Sequence, residues 1–344
     1  MVDPTLLGEL TVLAERELGL CGLKETEAVL VASTSDTHPL MGAALLAASQ
    51  SYGAECMEVV LPAVDVAPAR GPARRANVPK TLIKWCADVD LLVDVTARGM
   101  LHSSTQRELL ATGTRILRAR EPVDCLARLF PDGDTRKLVE TSGEILRDAD
   151  LVTLTSEHGT DLSLATADRP ISLQYGYTED PGRWDHWGTA LVVTAPIEDS
   201  AEGDLVMWPG DVIFLSATVG RYVAEPVTIH LSGGGIASVE GGAEKLLIEE
   251  LLVHKDDVQA RHTSHVGWGC DSRADWYALE RYAGQGGGGA DVRSAAGCVV
   301  LAFGANTDLG GVNSTSTHVD LALRGVSVDV ASARPVIAGA LNLA

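Results

Sequence analysis

Residues 29–62 carry the pattern that most narrows the fold. Val29-Leu30-Val31-Ala32 is a short unbroken apolar run, followed by the turn-rich Ser33-Thr34-Ser35-Asp36. An Ala/Leu-rich stretch with helical spacing then runs from about Pro39 to Tyr52, and Gly53 closes it as a C-terminal stop. Glu58-Val59-Val60-Leu61-Pro62 is a second apolar run. A strand, a helix and a strand at this spacing form a βαβ unit, which requires a parallel sheet with a right-handed crossover. A helix over Pro4–Leu20 precedes the unit. The helix Thr81–Ala87 and the buried strand Asp90–Val95 extend it, with an Ala/Arg/Pro-rich loop from Pro68 to Pro79 between.

The exit of the strand at Asp90–Val95 runs through Thr96–Thr105, beyond a strand's carboxyl end, where open α/β sheets place functional loops. His102 lies there beside Ser103 and Ser104. Arg115-Ile116-Leu117 and a helical stretch from Pro122 to Ala149 complete this half. From Asp150 onward short strands dominate, separated by Gly, Asp and Pro, with one helix at about Gly242–Val253. The expectation is therefore two domains with a boundary near residue 150. Residues 1–150 form an α/β domain with a largely parallel sheet, and residues 151–344 a strand-rich α+β domain.

The net charge of −20 and pI near 4.7 argue against binding nucleic acid or an anionic membrane through a basic surface. No window offers the roughly 18 apolar residues that a spanning helix needs. The N-terminus lacks the basic and apolar regions of a signal peptide. Six scattered cysteines without a CxxC read as buried or free thiols in a reducing cytoplasm. Neither HExxH nor GxSxG occurs, so zinc-peptidase and serine-hydrolase chemistry lack their usual sequence support. The glycine runs at 233–235 and 284–289 lack the strand–turn–helix setting of a phosphate or dinucleotide site. The second is expected to be a flexible connection.

Histidines and carboxylates gather in the second half. His318-Val319-Asp320 follows a polar run beginning at Asn313 and leads into Leu321-Ala322-Leu323. On a strand, residues two apart share a face, so an imidazole and a carboxylate stand side by side. The pair is two-thirds of a two-histidine, one-carboxylate metal site, and equally the end of a solvated strand. Arg183-Trp184-Asp185-His186-Trp187 lies just after Tyr175-Gly176-Tyr177-Thr178-Glu179. In a chain with only 4% aromatic residues this crowding suggests either a lined pocket or a loop packed on the core. His265 precedes Val266-Gly267-Trp268-Gly269, whose glycines let the backbone come close to something.

Gly159–Leu164, Thr194-Ala195-Pro196, Leu301-Ala302-Phe303-Gly304 and Asn313–Asp320 occur in an order that resembles the metallo-aminopeptidases of the aminopeptidase T type. Those peptidases hold two metal ions. Here Gly188-Thr189 stands where they carry Gly-Glu, Ser264-His265 where they carry a glutamate run, and Val299 or Val300 where they carry a histidine. Valine and threonine do not replace those ligands, which leaves His265, His318 and Asp320. That remainder resembles the ring-cleaving branch of the same superfamily, the 2,5-dihydroxypyridine 5,6-dioxygenases of nicotinate breakdown.

The resemblance implies one non-haem Fe(II) per chain on His265, His318 and Asp320, a small N-heteroaromatic substrate, dioxygen, and a homo-oligomer. It also suggests His102, then His186, as the acid or base. Glu179, Tyr177, Trp184, Trp187 and Thr189 are the expected substrate-binding residues. Two other readings stay open: a dinuclear aminopeptidase drawing ligands from Glu198, Glu202, Glu240 or Glu244, and a metal-free binding protein that inherited the fold.

Overall fold

The computed structural model describes residues 4–35, 37–61, 80–96, 104–215, 219–253, 256–284 and 287–343. The expected loop Pro68–Pro79, and His102 with most of its surrounding loop, lie outside them.

The backbone forms two compact units. The first takes in the described residues up to Pro131 together with Tyr175–Thr189, and the second is built from Asp132–Gln174 and Ala190–Ala344. In the first unit, five parallel strands run in the order Glu55–Leu61, Ala28–Thr34, Leu91–Asp94, Arg115–Arg118, Trp184–His186. The βαβ unit is present as expected. The helix Pro39–Ser51 starts on a proline at its first turn, where the missing N–H costs no helical bond. It is closed at Gly53, whose φ of 77° places it in the left-handed region. Ala28–Thr34 is buried along almost its whole length, as a parallel strand covered on both faces must be. Leu30, Leu82, Leu92, Leu109 and Ile116 form a core cluster on one side of this sheet.

In the second unit the strands are antiparallel. Among the described residues an eight-stranded sheet runs from Gly235–Gly241 to Ala340–Leu341, and a seven-stranded sheet from Gly220–Tyr222 to Ile171–Gln174. Leu151–Ser156 and Asp161–Ala165 alternate buried with more exposed residues, so the eight-stranded sheet shows one face to the core. The central strands of the seven-stranded sheet, Thr263–Gly269 and Val299–Gly304, are buried at every residue. One of its faces is covered by the helix Gly133–Arg147, whose Ser142 hydroxyl accepts from Trp268 Nε1 at 3.0 Å.

Three elements differ from their expected form. The helix read over Pro122–Ala149 is two helices, Val123–Arg128 and Gly133–Arg147. Asp132 caps the second by accepting from the Thr135 amide at 2.7 Å, and a capped start is where a new helix begins. Trp184–His186 lies beyond residue 150 in sequence but joins the parallel sheet next to Arg115–Arg118. The connection expected at the second glycine run leads, from Gly289, into the short helix Gly289–Ser294.

Candidate metal centre

The centre is assembled on three neighbouring strands of the seven-stranded sheet. His265 pairs with Ala302, and Ala302 pairs on its other side with Asp320. Residues two strands apart are about 10 Å apart at the backbone, so their side chains meet only over something small. Ala302 is that small residue. His318 lies two residues before Asp320 on the same face, across from Gly304.

The strand carrying His265 has a bulge at Ser264, since Thr263 pairs with Phe303 and His265 with Ala302. The extra residue breaks the strict alternation of faces. Ser264 therefore also reaches the site, with its Oγ 3.4 Å from His318 Nδ1. Gly267 lies so close to Val192 that a Cβ would strike the Val192 carbonyl oxygen. The close approach expected at this glycine is to the neighbouring strand.

His265 Nε2 is 3.2 Å and His318 Nε2 is 3.1 Å from Asp320 Oδ1. One ligand atom from each of the three residues lies within 4.8 Å of the others, and among the described residues no other cluster of this kind occurs. All three side chains are largely buried, with side-chain exposures of 8%, 17% and 10% for His265, His318 and Asp320. His318 Nδ1 faces the Ala305 carbonyl at 3.1 Å. A carbonyl only accepts, so Nδ1 carries the proton and, in the neutral ring, Nε2 presents its lone pair toward Asp320. Asp320 Oδ1 is buried and has no hydrogen-bond partner among the described residues. A lone pair facing a carboxylate oxygen at 3.1 Å needs a positive species between them. Two imidazole nitrogens and one carboxylate oxygen suit a divalent first-row metal, so the donor set fits.

The other carboxylate oxygen is engaged differently. Arg293 Nε and Nη2 each lie 2.6 Å from Asp320 Oδ2. Burial alone would push the Asp320 carboxyl up, but Arg293, with the two histidines, holds it well below the usual carboxylate range. Burial lowers the His265 imidazole against the pull of Asp320. The site is thus arranged with an anionic carboxylate and a neutral His265.

The loop between Gly304 and His318 is pinned from outside. Asn306 Oδ1 accepts from the Asn313 amide at 2.8 Å, and Asn313 Nδ2 donates to Thr263 O at 3.1 Å. Glu198 accepts from the Val312 amide at 2.6 Å and pairs with Arg169 at 2.5 Å. The other glutamates weighed as ligands are also engaged away from the centre. Glu202 accepts from Gly233, Glu244 pairs with Arg221 and Glu240 stands exposed beside His230. None of the four belongs to the cluster.

The remaining predicted residues lie in the first unit. His186 is buried at the end of its strand, paired with Arg118, with its Nε2 3.9 Å from Glu121 Oε1. Glu121 is fully buried and was missed in the sequence, where a single glutamate in Arg-Glu-Pro carries no pattern. Trp187 is fully buried, edge-on to Phe130 at 6.3 Å. Trp187 Nε1 and Thr189 Oγ1 are buried without hydrogen-bond partners among the described residues. Tyr177 is buried, edge-on to Tyr175 at 4.9 Å. Trp184 packs on the core cluster with Ile116, and Glu179 is exposed. Asp185 anchors the segment, accepting from the amides of Tyr175, Gly176 and His186 and pairing with Arg183 at 2.6 Å. Arg293 was missed as well, because nothing in the sequence ties it to a residue 27 positions away.

The profile of the NicX family, 2,5-dihydroxypyridine 5,6-dioxygenase, matches residues 9–342. The 2,5-dihydroxypyridine 5,6-dioxygenase of Pseudomonas putida KT2440 is 32% identical over 343 residues, covering 98% of this chain and 97% of the relative. The solved structure of the 2,5-dihydroxypyridine dioxygenase from P. putida KT2440 matches with a TM-score of 0.91 at 32% identity, over 99% of this chain and 98% of that one. Wild-type AmpT from Thermus thermophilus matches with a TM-score of 0.64 over 94% of each chain, but at 14% identity, a likeness of fold alone. The resemblance drawn from the sequence is borne out, and the fold is of the aminopeptidase T type. The chain belongs to the 2,5-dihydroxypyridine 5,6-dioxygenase family.

Proposed function

We propose that this protein opens the ring of 2,5-dihydroxypyridine, or of a closely related dihydroxylated pyridine, with dioxygen. One Fe(II) per chain is held by His265 Nε2, His318 Nε2 and Asp320 Oδ1. Both atoms of dioxygen enter the product, which is of the N-formylmaleamate type. The observation that carries this reading is the convergence of one ligand atom from each of these three residues within 4.8 Å, in a chain that matches the family over almost its full length. When bound, Fe(II) in such a set supplies open positions where an electron-rich hydroxylated ring and dioxygen meet.

The chain's own groups set the conditions for that chemistry. The Ala305 carbonyl holds the proton of His318 on Nδ1 and so leaves Nε2 free to ligate. Arg293 keeps Asp320 anionic. Burial of His265 and Asp320 keeps bulk water from competing for them. His186, whose Nε2 lies 3.9 Å from Glu121 Oε1, is proposed to take or return the substrate's proton. Trp187 Nε1 and Thr189 Oγ1 are proposed as donors to a ring oxygen, since a buried donor without a partner is costly. Tyr177, Trp184 and Glu179 are proposed to complete substrate binding, with His102 as a second proton-handling group. Assembly as a homo-oligomer and residence in the cytoplasm complete the proposal. The six cysteines are not joined in disulfides, which supports a reducing compartment, and among the described residues no helix is long and apolar enough to cross a membrane.

The test is anaerobic reconstitution with Fe(II) followed by admission of oxygen. With 2,5-dihydroxypyridine present, oxygen uptake and loss of the substrate's near-ultraviolet band are expected together, one dioxygen per ring. Absence of both across a panel of dihydroxypyridines and dihydroxybenzenes overturns the proposal.

A further inference from the structure

Asp320 divides its two oxygens between different tasks. Oδ1 faces both imidazoles, while Oδ2 takes two charge-assisted bonds from a single guanidinium, each 2.6 Å long. Arg293 is itself held on several sides. Its Nη1 donates to Gly289 O at 3.0 Å, and its Cζ lies 3.6 Å over the ring of Phe214, which is 1% exposed. Phe214 ends a strand that pairs with the Asp320 strand through Val212–Ala322 and Ile213–Leu321. The two strands thus set the cation–π face and the carboxylate at a fixed spacing. Turning the Asp320 carboxylate to present both oxygens to a cation would break both bonds to Arg293 and leave its charge buried without that partner.

The count of donors matters for the chemistry. Three ligand atoms leave three positions of an octahedral shell, and a two-oxygen aspartate would leave two. A ring held through two of its atoms, together with dioxygen, requires three. We infer that Arg293 is the positioning residue that restricts Asp320 to one ligating oxygen and thereby preserves the third open position. The inference rests on the proposed metal site and adds to it what sets its coordination number. Arginine suits the task because its planar fork places two N–H groups on one oxygen. The lysine ammonium, a single point charge on a flexible stem, has no such fork.

The experiment compares wild type with Arg293→Met and Arg293→Lys, each first checked for folding by its thermal melt without metal. R293K retains a positive charge and serves should R293M not fold. The visible spectrum of each Co(II)-loaded protein reports coordination number. The electron paramagnetic resonance signal of the Fe(II)–nitric oxide complex, taken with and without 2,5-dihydroxypyridine, reports whether a position stays open beside the ring. Wild type is expected to bind nitric oxide with the ring present. R293M is expected to show weaker visible Co(II) bands, as higher coordination does, and to lose nitric oxide affinity in the ring complex by about 10-fold or more, with partial recovery in R293K. Variants with wild-type Co(II) spectra that take up nitric oxide beside the ring as wild type does overturn the inference while leaving the metal site standing. A wild type that binds neither Co(II) nor Fe(II) overturns the proposed function itself, and this inference with it.

Discussion

His318 Nδ1 and the main-chain oxygen of Ala305 lie 3.1 Å apart, and that one contact decides which nitrogen of His318 faces Asp320. Ser264 donates its hydroxyl to the same carbonyl oxygen at 2.5 Å and steadies it in place. Replacing Ser264 by alanine is expected to weaken Fe(II) binding by about 10-fold with the fold intact, the usual cost of losing an outer partner of a ligand. Competition with a coloured chelator measures it, and an unchanged affinity would remove Ser264 from the site.

Ala302 stands between His265 and Asp320 and is fully buried. A valine there intrudes where the two side chains meet. Ala302→Val is expected to destabilise by about 1–3 kcal/mol through overpacking, and to lower metal affinity by about 100-fold through separation of the ligands. Urea unfolding and chelator competition check the two effects separately. Lost stability with wild-type metal affinity would show that the ligands do not meet over this residue.

His186→Gln is expected to reduce kcat by about 10²- to 10⁴-fold, the range for removing a general acid or base. Metal affinity should not change, because His186 is outside the ligand cluster. A variant with wild-type turnover would dismiss His186 from proton transfer.

Asp211 supplies a pH dependence unrelated to the metal. Burial pushes its carboxyl up to about 6, despite amide donors at Trp208 and Arg324. The folded protein therefore keeps this proton to higher pH than the unfolded chain, which releases it near 3.9. Between those values the folded state binds more protons, so stability contributed by this group is present below about pH 4 and lost as pH rises through 6, by about 3 kcal/mol in all. Asp211→Asn loses one acceptor and starts less stable, yet its urea-unfolding free energy should lack that fall between pH 4 and 7. Parallel curves for the two proteins would refute the assignment.

The cysteines should be slow toward thiol reagents in the folded state. Burial raises Cys86 to about 11 and Cys270 to about 12, and raises Cys21 and Cys298 as well. Cys56, only partly buried, is expected to react first with an aromatic disulfide at pH 8, and unfolding should expose the rest. Rapid modification of Cys270 or Cys298 without unfolding would contradict this burial.

Much of the frame was readable in advance because it depends on neighbours along the chain. Alternation on a strand puts His318 and Asp320 on one face whatever surrounds them, and the apolar runs around the helix at Pro39 require parallel pairing. Elements whose place depends on distant partners were harder to locate. Trp184–His186 reads as part of a lined pocket or a packed loop in the second half, yet it joins a sheet begun more than 150 residues earlier. The helix Gly133–Arg147 reads as a continuation of the first half and instead covers the seven-stranded sheet.

The same division runs through the site. The sequence by itself determined the candidate ligand types, the His-x-Asp pair and, through its family landmarks, the proposal of His265 as the third member. Only the tertiary structure decided that Ala302 is the space in which the ligands meet, that Ser264 is bulged into their reach, and that Arg293 occupies one oxygen of Asp320. The physical reason is range. Side-chain alternation is set by covalent geometry within two or three residues, whereas register, bulges and ion pairs are settled by strand pairing and burial across the whole fold.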